Sequence, residues 1–359
     1  MIIKSIITGT GSYLPTEKIP NSAFLEQQFY ENDGKGILID KPSAEIIKKF
    51  EEITEITERR YVSKDLVASD VAYFAAKQAL ESSNTDPETI DYIIVAHNFG
   101  DVQFDNRKSA FVPSLAAKVK HKLAIKNPKT IAFDLTFGCP GWLQGMIVAD
   151  ALIKAGNAKK VLVIGAETLS RISDPHDRDS LIYADGGGAT ILEAVESELP
   201  VGILSHAVRS DTSEYAHMLC MDVSYNPNYP DNTLFLKMNG TKLYKYALNF
   251  VPGVVKEAMD KAGITLDQVK ILAIHQANAK MDYAIRNGLV KLCGVKDIPD
   301  IMPMTIHEFG NSSVATIPTL FDLLVNGKLP KYSAKSGDII IFASVGAGMN
   351  INAMVYRMP

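Results

Sequence analysis

Residues 79–95 (ALESSNTDPETIDYIIV) align without a gap on residues 258–274 (AMDKAGITLDQVKILAI). Each copy is a helix end, a polar turn with a carboxylate, and an apolar run of strand length. The two lie 179 residues apart in a chain of 359, almost half its length. A second echo pairs residues 160–165 with 338–346, each a β-branched run ending on glycine. Repetition at this spacing points to two similar α/β halves, 1–195 and 196–359, set side by side with a site where their strand ends meet. No low-complexity stretch or linker separates them, so they are expected to pack as one body.

Further β-branched runs at 2–8, 92–96, 130–134 and 189–192 alternate with helical patterns at 68–83, 142–155 and 244–262. Several of the runs are apolar on all sides, which implies sheets covered on both faces. A composition of 47% hydrophobic and 22% charged residues excludes disorder as the main state. The net charge of -4, from 37 basic and 41 acidic residues, argues against a general nucleic-acid binder. The one basic stretch, 118–129, reads as a solvated helix face. No apolar run approaches the roughly 18 residues of a membrane span, and the N-terminus reads as a first strand rather than a signal peptide. Three scattered cysteines fit neither a disulfide framework nor a zinc site, so a reducing cytoplasm is the expected location.

Cys139 has the most informative setting. A strand ends near Asp134, the turn Gly138-Cys139-Pro140-Gly141 follows, and an amphipathic helix runs to about residue 155. With Pro140 at the first helical position, Cys139 is expected at the N-cap, where the positive end of the helix dipole favours thiolate. A strand–turn–helix bend also exposes a nucleophile. The other role open to such a cysteine is that of a small buried hydrophobe, which is the reading for Cys220 and Cys293. His275 and Asn278 sit at the polar tip of the apolar run 271–274, and Asn311 precedes a helix at 314–325. A His and an Asn at buried strand ends can donate to one carbonyl oxygen, or can satisfy loop backbone. Val345-Gly-Ala-Gly-Met-Asn350 is a glycine turn whose N–H groups can serve an oxyanion.

Taken in order, these segments resemble the β-ketoacyl-[acyl-carrier-protein] synthase III family of the thiolase superfamily. The resemblance spans nearly the whole chain. It rests on Gly9-Thr-Gly-Ser-Tyr-Leu-Pro15, the Cys139 elbow, Asp174-Pro-His-Asp-Arg178 and Asp185-Gly-Gly-Gly-Ala189. Met238-Asn-Gly240, His275-Gln-Ala-Asn278, Gly310-Asn-Ser-Ser313 and the terminal glycine turn complete it. It implies a duplicated, five-layered α-β-α-β-α fold and a homodimer. It also implies a two-step reaction in which Cys139 carries an acyl group that is condensed with malonyl-carrier protein as carbon dioxide leaves. His275 and Asn311 would stabilise the enolate, and the backbone N–H groups of Cys139 and Ala347 the other oxyanion. Arg178 matches a phosphate contact of the family, and Lys245 and Lys280 match docking positions for acyl carrier protein. Asn278 belongs to the binding motif, and Val112 stands at the acyl-pocket mouth, where it would line the neighbouring subunit's pocket. No cofactor is implied beyond substrates carried on phosphopantetheine or coenzyme A.

The chain departs from the family in three places. Lys49 and Ile53 stand where the family holds the adenine and phosphates of coenzyme A, residues 27–42 look inserted, and residues 101–110 form an extra loop before Val112. The smaller residue at 112 suggests an acyl donor longer or bulkier than acetyl. The alternative activity is a Cys139-dependent acyltransferase, or a ketosynthase of the resorcinol or pigment type that joins two acyl thioesters. A scaffold without chemistry is disfavoured by the joint presence of Cys139, His275 and Asn311.

Overall fold

The computed structural model describes residues 2–296 and 298–359. The first half contains β1 (Ile2–Tyr13), β2 (Glu17–Pro20), α1 (Ser43–Thr54), β3 (Glu58–Tyr61), α2 (Ala68–Ser82) and β4 (Tyr92–His97). It continues through α3 (Leu115–Lys122), β5 (Ile131–Thr136), α4 (Gly141–Lys154), β6 (Lys160–Thr168) and β7 (Asp185–Ser197). The second half opens with β8 (Gly202–Ser210), α5 (Thr212–Tyr215), β9 (Leu219–Asp222), β10 (Phe235–Met238) and α6 (Gly240–Ala262). β11 (Val269–Ile274), α7 (Ala279–Leu292), α8 (Ile306–Phe309), α9 (Thr316–Val325), β12 (Ile339–Gly346) and β13 (Asn350–Arg357) complete it.

The strands form two large sheets, ordered β1-β7-β6-β4-β5 and β11-β12-β13-β8. Their pairings repeat. β4 lies parallel to β6, which is antiparallel to β7; β11 lies parallel to β12, which is antiparallel to β13. The echo at 179 residues carries even the small turns, because 3-10 turns at Pro87–Thr89 and Leu266–Gln268 precede β4 and β11. β5 has no counterpart in the second sheet and is left on an open edge.

Three apolar clusters build five layers. α2 and α3 cover one face of the first sheet through Val71, Ala75, Leu115 and Val119, while α6 and α7 cover the far face of the second through Val255, Met259 and Ile285. Between the sheets lie α4 and α9, where Trp142, Met146 and Phe321 meet Ile94 and Val163 on one side and Phe342 and Tyr356 on the other. Both helices are apolar around much of their circumference because they face a sheet on each side. The one tryptophan, Trp142, is therefore a core residue, edge-on to Phe342. Gly165 on β6 allows the close approach of the 313–315 turn: a Cβ there would lie 2.3 Å from the Val314 carbonyl oxygen.

The middle layer also holds a buried carboxylate. Asp322 on α9 accepts from Thr10 Oγ1 at 2.7 Å and Ser12 Oγ at 2.6 Å, both on β1. Removing it leaves two buried hydroxyls without that acceptor, so Asp322→Ala is expected to cost about 2–4 kcal/mol. Urea unfolding of the variant beside the parent chain measures this directly; a loss below about 0.5 kcal/mol would show that the pairing does not hold α9 to β1.

Candidate active site

Cys139 lies on a sharp bend between β5 and α4, with Gly138 in the left-handed region at φ 72°. The helix begins one residue later than the sequence suggests: Gly141 N–H bonds to the Gly138 carbonyl at 2.9 Å, and Pro140 is the N-cap. The elbow is clamped by the glycine turn after β12. A Cβ on Gly346 would sit 2.5 Å from Cys139 N, and one on Gly138 would sit 2.7 Å from Ala347 N. Only glycine tolerates such an approach, and it brings the Cys139 and Ala347 backbone N–H groups together. Ala347 keeps a negative φ, so alanine in this turn does not distort it; the left-handed residues are Gly348, at φ 73°, and Met349, at φ 50°.

His275 arrives from the end of β11. Its backbone N–H bonds to the Ala343 carbonyl at 2.8 Å, tying it to β12. The loop beyond it is locked by buried Gln276, which accepts from Thr305 N at 2.8 Å and Ile306 N at 3.0 Å and donates to the Pro303 carbonyl at 2.8 Å. Burial lowers the His275 pKa to about 4, so the imidazole is neutral near pH 7. Its buried Nδ1 has no partner among the described residues. Asn311 runs alongside the 182–184 segment of the first half, its N–H on the Ile182 carbonyl and its carbonyl on Ala184 N–H. The amide orientation is set because Oδ1 accepts from Ser313 N at 2.8 Å, which leaves Nδ2 as the donor available to a substrate.

All three side chains line one cavity, open at its mouth. Leu169, Leu219, Leu236, Met238, Leu243 and Met281 give it an apolar wall. Ser313 lines it too, at φ 53°, and its hydroxyl donates to Cys139 Sγ at 3.3 Å. Burial pushes the Cys139 thiol up to about 11, with the Ser313 hydrogen bond pulling the other way and buried Glu167 adding to the rise. Desolvation of a thiolate therefore works against the lowering expected from the helix dipole.

The family model for 3-oxoacyl-[acyl-carrier-protein (ACP)] synthase III matches residues 133–212, and the model of its C-terminal part matches residues 259–358. The 3-oxoacyl-[acyl-carrier-protein] synthase III of Aquifex aeolicus VF5 is 30% identical, with a TM-score of 0.77 over 98% of this chain and 99% of that one. This chain belongs to the 3-oxoacyl-[acyl-carrier-protein] synthase III family. The Thermus thermophilus β-ketoacyl-[acyl carrier protein] synthase III is also 30% identical, with a TM-score of 0.79 over 99% of both chains. The synthase III of Pseudomonas aeruginosa PAO1 is 25% identical, with a TM-score of 0.80 over 99% of this chain and 98% of that one.

Ala347 lines the cavity as well, whereas the binding residues singled out from the synthase III resemblance, Asn278, Lys245, Lys280, Arg178 and Val112, lie outside its lining. Asn278 caps α7 through Oδ1 to Met281 N at 3.2 Å. Lys245 on α6 and Lys280 on α7 are exposed, close in sequence to the cavity residues Leu243 and Met281. Arg178 lies 3.6 Å from Glu31, within the inserted segment 27–42. That segment folds onto the Asp174–Arg178 motif: Tyr30 N–H bonds to the His176 carbonyl and the Tyr30 and His176 rings meet edge to face. Buried Lys237 braces the same motif through Asp174 and lies over the Tyr225 ring. Val112 is 91% exposed and does not line its own chain's cavity; Phe99 does. The sequence reading assigned no role to Ser313, Asn98 or Glu167. A glutamate ending the apolar run 161–166 was the available signal for the last.

His275 yields a pH prediction. It titrates at about 4 in the fold and at about 6.5 in an unfolded chain, so the unfolded state binds the extra proton between those values. Stability therefore falls as the pH drops through that window. His275→Asn should remove acid sensitivity on the order of 3 kcal/mol, read from urea unfolding at about pH 7 and pH 4. Equal acid losses in variant and parent would contradict a neutral, buried His275.

Proposed function

We propose that this chain is a 3-oxoacyl-[acyl-carrier-protein] synthase III-type ketosynthase in which Cys139 is the nucleophile and His275 and Asn311 are the decarboxylation donors. The convergence of these three side chains on one apolar-walled cavity carries the reading. Cys139 Sγ attacks the carbonyl carbon of an acyl thioester. The new S–C bond forms as the donor's S–C bond breaks, and the thiol proton ends on the departing carrier thiolate. Malonyl-acyl carrier protein then enters and loses carbon dioxide. Negative charge gathers on its thioester oxygen, where neutral His275 and the Asn311 Nδ2 donate without supplying a full proton. The enolate carbon attacks the acyl-Cys139 carbonyl, a C–C bond forms, and the Cys139 thiolate leaves. The backbone N–H groups of Cys139 and Ala347 hold the oxyanion in both acyl-transfer steps.

The apolar wall suits an acyl chain longer than acetyl. Lys245 and Lys280 are exposed and close in sequence to the cavity residues Leu243 and Met281, which supports a role in meeting an acidic carrier protein, where exposed charge mainly sets encounter rate and orientation. The open edge of β5, with Ile131 49% exposed, and the exposed Phe111 and Val112 beside it support a homodimer that pairs this edge and brings the Val112 loop to the partner's cavity. No described helix is long and apolar enough to cross a membrane, and all three cysteines are free, which favours a cytoplasmic enzyme.

Cys139→Ala should abolish acyl-enzyme formation, seen by intact mass after incubation with an acyl thioester. His275→Ala and Asn311→Ala should each slow malonyl decarboxylation by roughly 10²–10³ while retaining self-acylation. Near-parental decarboxylation in both would favour the acyltransferase reading instead.

A second test concerns the donor. Lys49 points to solvent against Glu52 at 3.1 Å, and Arg178 faces Glu31, so the grip on a nucleotide is weak. Acyl-acyl carrier protein should acylate Cys139 faster than the same acyl group on coenzyme A, by about tenfold or more. A preference for the coenzyme A donor would show that residues 27–42 supply the missing contacts.

A further inference from the structure

Behind Cys139 lies a buried line of polar side chains that the condensation mechanism leaves unused. Glu167, at the end of β6, is buried and accepts from the Asn98 amide Nδ2. The same Nδ2 donates to Ser313 Oγ at 3.2 Å, and Ser313 Oγ donates to Cys139 Sγ at 3.3 Å. The direction of each bond follows from the one before it. The carbonyl oxygen of a carboxyl group accepts in either protonation state, and the Asn98 amide turns its Nδ2 toward it. An amide donor on Ser313 Oγ occupies one of its lone pairs, and the hydroxyl hydrogen is left to point at the sulfur. Ser313 itself is held by its N–H on Asn311 Oδ1 at 2.8 Å, so the donor to sulfur and the donor to the enolate share one turn.

We propose that Ser313 is a further catalytic residue, the side-chain donor that stabilises sulfur anion at Cys139, and that Asn98 and Glu167 are its positioning residues. The inference deepens the ketosynthase reading and rests on Cys139 being the nucleophile. Charge on the sulfur appears twice: as Cys139 attacks the donor carbonyl, and as it departs from the condensed product. In both steps the bonds made and broken are those of the acyl transfer, and Ser313 keeps its own proton. A hydrogen bond to a charged acceptor is worth enough to change the thiolate population roughly ten- to a hundredfold. The titratable groups facing Cys139 are Glu167 from β6, Tyr183 from the 182–184 segment and His275 from the tip of β11. Asp185 faces Glu167 in turn. Of these, Glu167 opposes thiolate formation once it is ionised; it titrates at about 8.

The test is the rate of Cys139 alkylation by iodoacetamide from about pH 7 to 10, followed by peptide mass mapping, which requires no acyl donor. Ser313→Gly removes the hydroxyl and accepts the positive φ, and Asn98→Ala leaves the Ser313 backbone untouched. Ser313→Gly should slow alkylation at about pH 8 by roughly tenfold or more, and Asn98→Ala should slow it in the same direction by less. Glu167→Gln keeps the acceptor for Asn98 and removes the charge, so above about pH 8 it should speed alkylation several-fold. A merely structural role for Glu167 would not produce opposite signs in these variants. Parental alkylation rates in Ser313→Gly would overturn the proposal, and a slowed Glu167→Gln would overturn the placement of Glu167. If no donor acylates Cys139 while the alkylation rates shift as stated, the ketosynthase reading falls and the role of Ser313 toward the sulfur stands.

Discussion

α4 and α9 lie between two sheets with apolar residues on both sides, and the segments entering their N-terminal ends carry Cys139 and Asn311–Ser313. Because each helix is packed against both sheets, neither can tilt without opening the shared core. The entry points are then as rigid as the core itself. The Asp322 pairing to Thr10 and Ser12 pins α9 further, and the missing Cβ of Gly165 lets the 313–315 turn settle directly on β6. A nucleophile and its donors need placement to within a fraction of an ångström, and here that placement comes from packing two helices rather than from loops.

Burial has opposite consequences for the two titratable groups at the centre. It favours neutral imidazole at His275, which suits a donor to an enolate, and it disfavours thiolate at Cys139, which a nucleophile must become. The same burial thus helps the second half-reaction and hinders the first. The compensation on the sulfur side is local: Ser313 donates to it directly, and the backbone N–H groups gathered by Gly138 and Gly346 await the oxyanion.

The duplication explains both where the site lies and why its parts differ. The two sheets have matching cores, and Cys139 follows a strand of the first while His275 follows a strand of the second. Asymmetry enters outside the repeated core. β5 exists only in the first sheet and leaves an open edge, whereas the inserted segment 27–42 folds over the Asp174–Arg178 motif and engages Arg178. The repeated part sets the geometry of the reaction, and the unrepeated parts surround the mouth and the edge.

The sequence by itself determined the α/β alternation, the half-length repeat and the strand-end positions of Cys139 and His275, whereas Asn311, expected at a strand end, follows the short helix α8 instead. Those features are local or periodic, and the periods of 2 and 3.6 residues are written in the order of side chains. The repeat was legible down to the turns before β4 and β11, while the start of α4 was displaced by a residue because the Gly141–Gly138 bond delays the first helical turn. Strands β8 and β13 and helices α1 and α7 were not read, and α3 was read only as the solvated helix face at 118–129. Only the tertiary structure decided the titration of Cys139, the place of Val112 outside its own cavity, and the line from Glu167 through Asn98 and Ser313 to Cys139. The last joins residues 69, 215 and 174 positions apart in successive contacts. Desolvation and hydrogen bonding over such separations belong to the packed surroundings, and no spacing along the chain encodes them.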